Sequence, residues 1–304
     1  MQWLDFIAVV NMAGKLDICS LGEYNILKYG DIKYKTMKGR VKMAYLIYLI
    51  TGILAGIMGG LLGTGGCALM MPVIRFGFNF DPAIAVGTTL TAVVFTAASG
   101  AIQHIKMGNV EGETAKITGY SGVLGVIIGS VVFNYVKNYG DLIDLIIGVA
   151  FIIVSLRMLY EGLQRRPSNS PQNLSSVQEI PGSPTQKSIL GSVIGFLTGI
   201  IGLGGGYALV PSYLYLFKAP MKLAIGTSMA SFIWMALVGA IFKLVAHTVN
   251  IPVAVVLGIG AVIGAIYGAK LVARFSSTTL KFLFGLLFLY VSLKYIFIYF
   301  GIHI

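Results

Sequence analysis

Six stretches of this chain contain no Asp, Glu, Lys or Arg: residues 43–74, 82–105, 117–136, 188–217, 223–242 and 244–269. A helix needs about 20 mostly apolar residues to cross a bilayer, so each of these runs can cross one. Two further regions, 142–160 and 280–300, keep Asp144, Arg157, Lys281 and Lys294 mostly near their ends, where long side chains reach the interface. The expected fold is therefore an all-α polytopic membrane protein with about eight transmembrane helices. Composition agrees, because 57% of the 304 residues are apolar and 11% are charged, too few charges to cover a soluble domain of this size. The net charge of +11 is spread between apolar runs that hold aromatics. It reads as orientation signals beside lipid, and no nucleic-acid surface is expected.

No enzyme chemistry is legible. Cys19 and Cys67 make neither a disulfide framework nor a metal cluster, and three histidines make no convincing metal site. The GLGGGY segment has no preceding strand, and no Walker lysine or HExxH occurs. Neither a catalytic residue, a metal nor a cofactor is expected. The first 20 residues lack a basic n-region and a clear cleavage site, so insertion is expected to come from the internal helices.

The chain divides into four parts. Residues 1–42 mix basic, acidic and short apolar pieces and read as a cytoplasmic or interfacial extension. Residues 43–163 and 188–304 hold four hydrophobic regions each. Between them, 164–187 is rich in Pro, Ser, Asn and Gln and cannot bury enough apolar surface to order itself.

The two hydrophobic parts repeat at an offset of 139 residues. Gly52, Gly56, Gly60, Gly63, Gly65, Gly66 and Pro72 align with Gly191, Gly195, Gly199, Gly202, Gly204, Gly205 and Pro211. Gly87 and Thr88 align with Gly226 and Thr227, and His104 aligns with Lys243. Two related halves are a common build of secondary transporters, with the substrate held near their interface. The GxxxG spacing of Gly52, Gly56 and Gly60 and their partners reads as close helix packing. The dense clusters at 63–66 and 202–206 read as helix breaks, tolerated at membrane depth only where backbone lines a cavity or is covered by protein. A half-helix after each break would aim amide groups at an anion.

The expected substrate-binding set is Gly63, Gly65, Gly66, Cys67, Thr88, Thr89, Gly202, Gly204, Gly205, Gly206, Thr227 and Ser228. His104 and Lys243, at the ends of equivalent spans, are candidate vestibule or coupling groups. No carboxylate sits at the centre of a charge-free run, which favours an anionic substrate over a cation. A proton carried by the substrate is favoured over a histidine relay. Counted over eight full spans, more Lys and Arg fall on the N-terminal side, so both termini are expected in the cytoplasm. If each break instead folds the first region into a re-entrant hairpin, each half crosses an odd number of times and the halves are inverted.

The segment GILAGIMGGLLGTGGCALMMPVI followed by AVGTTL returns as GFLTGIIGLGGGYALVPSYL followed by AIGTSM. In these motifs the chain resembles the sulfite exporter TauE/SafE family, over about 45–300. The resemblance implies a multi-pass carrier in a prokaryotic cell membrane that moves sulfite, a sulfonate or a related small organic anion. It maps onto Gly63, Gly65, Gly66, Pro72, Gly87 and Thr88, and onto Gly202, Gly204, Gly205, Pro211, Gly226 and Thr227. Cys67 departs from the all-glycine pattern of the second half. A thiosulfate- or persulfide-handling protein using Cys67 is thus the alternative, with an integral-membrane enzyme behind it. The expected partners are a small anionic substrate and the lipid bilayer, and a homo-oligomer is compatible with the sequence.

Overall fold

The computed structural model describes residues 31–163, 179–202 and 205–300, and every regular element among them is helical. In chain order these are α1 (Asp31–Leu62), α2 (Cys67–Pro72) running into a π turn (Val73–Gly77), α3 (Pro82–Lys106), α4 (Gly112–Val136) and α5 (Gly140–Leu163). Then come α6 (Pro184–Ile201), α7 (Gly206–Tyr215), α8 (Met221–Val245), α9 (Ile251–Leu271) and α10 (Ser277–Tyr299). Residues 1–30, most of the expected extension, and 164–178, most of the expected linker, lie outside the described residues.

Six described helical segments are long and apolar enough to cross a membrane: Lys42–Leu62, Pro82–Lys106, Gly112–Val136, Met221–Val245, Ile251–Arg274 and Thr278–Phe297. The chain is an all-helical multi-pass membrane protein. The two expected regions outside this set are α5, which carries Asp141, Asp144, Arg157 and Glu161, and α6, whose polar first turn shortens an 18-residue helix. That turn is a capping box: Ser183 accepts from the Gln186 amide while the Gln186 side chain accepts from the Ser183 amide. Side chains of Asp81, Glu111 and Asn250 cap α3, α4 and α9 in the same N-terminal role.

Small residues decide which helices meet. Gly52, Gly56 and Gly60 of α1 lie against the backbone of Leu257, Ala261 and Ala265 of α9. Gly191, Gly195 and Gly199 of α6 lie against Thr118, Gly122 and Val126 of α4. Any side chain at Gly56 or Gly195 would drive into the carbonyl of Ala261 or Gly122, so these glycines set backbone separation. Both pairings run parallel, and the contact positions in the two are 139 residues apart. At the centre α3 crosses α8 antiparallel, with Gly100 against Met229 and Gly239 against Leu90. On one side α5 and α10 pair antiparallel, where Ser292 Oγ donates to the Gly148 carbonyl at 2.8 Å.

The first region of each half does not continue as one straight crossing, as the eight-span count assumes. Gly63, Gly65 and Gly66 have φ of 73°, 70° and 81°, a left-handed conformation that glycine adopts without steric cost and that ends helices. The chain then returns along α1, bringing the Phe78 ring to 4.3 Å from that of Tyr48, four turns before the break. In the other half Gly202 has φ 69°, and Phe217, beyond α7, packs on Gly182 just ahead of α6.

Candidate functional site

The two breaks touch. A Cβ at Gly206, the first residue of α7, would meet the Gly63 carbonyl and Thr64 Cα of the opposite break. Gly65 faces Val93 and Phe232, which lie halfway along α3 and α8, and Gly205 faces Phe232 and Met235. The junction is therefore at mid-helix depth between the halves. It contains Gly63, Gly65, Gly66, Cys67, Gly202, Gly205 and Gly206, all buried. Gly204 lies outside the described residues. The first amides of α2 and α7 start at this junction, where a helix leaves N–H groups without intrahelical partners.

The hydroxyls divide by role. Ser228 Oγ lies 3.0 Å from the Gly63 carbonyl and 2.8 Å from the Ile225 carbonyl of its own helix. Thr89, its counterpart, is fully buried, and its Oγ1 has no hydrogen-bond partner among the described residues. Thr88 and Thr227 are engaged elsewhere. Thr88 Oγ1 accepts from the Asn250 amide at 2.9 Å, and Thr227 Oγ1 accepts from the Glu111 amide at 3.0 Å. Each threonine thus holds the start of a helix in the other half. Cys67 is fully buried, and its thiol donates to the Thr64 carbonyl at 3.2 Å.

His104 and Lys243 do not line an open vestibule here, since both are fully buried. His104 Nε2 lies 2.9 Å from the Gly60 carbonyl, and Lys243 Nζ donates to the Gly199 carbonyl at 2.8 Å. Both carbonyls belong to the last turn before a break. Among the described residues no group of three or more His, Cys, Asp or Glu could hold a metal ion.

Two polar clusters escaped the reading of the sequence. Thr118, Tyr213 and Ser231 join their hydroxyls at 2.7–3.0 Å between α4, α7 and α8. Arg75, on the π turn, pairs with Asp144 of α5 at 3.1 Å. The one sequence signal for the second was that Arg75 is the first charge after the 63–66 cluster.

The family profile described as sulfite exporter TauE/SafE matches residues 48–295. The probable membrane transporter protein YunE of Bacillus subtilis is 26% identical over 271 residues, covering 84% of this chain and 98% of its own. A probable membrane transporter protein of Xylella fastidiosa is 28% identical over 251 residues, covering 82% of this chain and 93% of its own. A third, from Methanocaldococcus jannaschii, is 26% identical over 256 residues, covering 77% and 89%. No solved structure matches the chain.

Proposed function

Because the chain belongs to the sulfite exporter TauE/SafE family, we propose that it is a secondary transporter of a small sulfur-containing anion, sulfite or a sulfonate, in the cell membrane. The observation that carries this reading is the meeting of the two glycine breaks at Gly206 and Gly63, beside the midpoints of α3 and α8. Unwound backbone at that depth supplies amides at a site free of carboxylates, a suitable environment for an anion. The ligands in this reading are amides of the two glycine clusters with the hydroxyls of Thr89 and Ser228. Thr89 is the stronger candidate of the two, since its Oγ1 has no hydrogen-bond partner among the described residues.

The same geometry supports alternating access as the transport mechanism. Residues 43–163 and 188–304 act as inverted halves, because α1, α3 and α9 run one way and α4, α6 and α8 the other. Rocking of one half against the other moves the junction between the two faces of the membrane. The Thr88–Asn250 and Thr227–Glu111 bonds cross between the halves and serve as pivots. Uptake by the purified protein in liposomes, measured with sulfite, thiosulfate, sulfoacetate and acetate, tests this reading. Saturable uptake of one of the sulfur anions, with acetate excluded, is expected. Transport of acetate alone, or of none of the four, overturns it.

A further inference from the structure

We propose that Asp144 is a proton-binding site that couples transport to a pH gradient, and that its ion pair with Arg75 is the deprotonated state of that site. The proposal rests on the transport reading and adds a group that the glycine junction does not contain. Asp144 is 1% exposed, and Oδ2 takes the Arg75 Nη2 bond at 3.1 Å while Oδ1 has no hydrogen-bond partner among the described residues. Arg75 also donates from Nη1 to the Phe80 carbonyl at 3.1 Å, and its Nε has no hydrogen-bond partner among the described residues. One guanidinium therefore fastens both the π turn and the loop after it to α5. The second half has no such fastening, because Leu214 and Leu283 occupy the equivalent positions.

What makes the pair a switch is where Arg75 stands. It lies on the five-residue π turn that continues α2 from the 63–66 break, and single π turns are frequent at functional sites. When α2 and its π turn move, Arg75 leaves and a buried carboxylate loses the ion pair that neutralises it, which is strongly unfavourable unless it becomes neutral. Asp144 then takes one proton from water: the carboxylate oxygen forms an O–H bond and a hydronium ion becomes water. Return of Arg75 reverses the step and releases the proton. The other titratable groups around the pair are Asp141 on α5 and Asp81 at the start of α3, which act on Asp144, and Tyr295 on α10, which Cys67 of α2 also influences; Lys294 of α10 and Arg75 both lie over the Phe76 ring. Tyr295 is buried, and its hydroxyl has no hydrogen-bond partner among the described residues.

The test compares wild-type protein, Asp144→Asn and Asp144→Glu in liposomes, by sulfite counterflow and by accumulation under an imposed pH gradient. Asp144→Asn should retain counterflow and lose gradient-driven accumulation, and Asp144→Glu should restore part of it. Accumulation in Asp144→Asn equal to wild type overturns the proposal. Infrared spectra of Arg75→Gln provide an arm that needs no substrate, and one that decides even if wild type carries no sulfite. In Arg75→Gln a carboxylic-acid band is expected that persists above the ordinary carboxylate range and vanishes in Arg75→Gln/Asp144→Asn. A spectrum with no such band overturns the proposal.

Discussion

Lys243 donates from Nζ to the carbonyl oxygen of Gly199 at 2.8 Å and closes the open end of α6. A helix that stops leaves its last carbonyls without partners and its negative dipole end exposed, and both call for a cationic or donor side chain. His104 does the same for Gly60 at the end of α1. Lys243→Met should leave the buried Gly199 carbonyl unsatisfied at a cost of about 1–3 kcal/mol, read as a lower melting temperature in detergent. His104→Gln keeps a donor and should leave stability, and the pH dependence of sulfite flux, nearly unchanged.

Contact between the breaks makes Gly206 an exacting position. Gly206→Ala places a methyl group against the Gly63 carbonyl and should abolish transport with membrane insertion intact. Gly108 has a positive φ, of 69°, and its side-chain direction is open. Gly108→Ala should cost about 1 kcal/mol of strain and leave transport unchanged. Equal transport rates in the two variants, measured in liposomes, would separate the junction from function.

Much of this was legible in the residues and some of it was not. Charge-free runs carry the membrane class, and the GxxxG series carries the close contacts of α1 and α6, because only a missing side chain permits them. The reversal after Gly63 was open, since a glycine cluster permits a break without fixing whether the chain continues or turns back. Thr88 and Thr227 were equally ambiguous: their partners, the Asn250 and Glu111 amides, are 162 and 116 residues distant. Lys243 at a span end looks like an interfacial anchor until α6 is placed beside it. Arg75 and Asp144, 69 residues apart, are each an unremarkable charge at the edge of an apolar run.

Direction reversal at the breaks has a consequence for topology. With α1 and α3 running the same way, residue 43 and the C-terminal end of α5 lie at opposite ends of the helices, whereas eight full crossings put them on the same face of the membrane. In a background with Cys19 and Cys67 replaced, Met43→Cys and Ser176→Cys should react with an impermeant thiol reagent from opposite sides. Labelling from one side would restore the straight first crossing.

Thr89 and Thr88 are neighbours with different work. Thr89→Val removes a buried hydroxyl that none of the described residues uses and should raise the KM for sulfite with little loss of stability. Thr88→Val releases the Asn250 amide and should lower the melting temperature, at a cost of about 1 kcal/mol, while KM holds. The two effects are read from one kinetic series and one thermal series.

Counterflow of labelled sulfite tests the carrier claim most directly, because exchange needs neither a gradient nor a coupling ion. Liposomes holding the wild-type protein and loaded with unlabelled sulfite should take up labelled sulfite transiently above its equilibrium level, and those with Gly206→Ala should not. Exchange no faster than in protein-free liposomes, for sulfite, thiosulfate and sulfoacetate alike, would contradict the account.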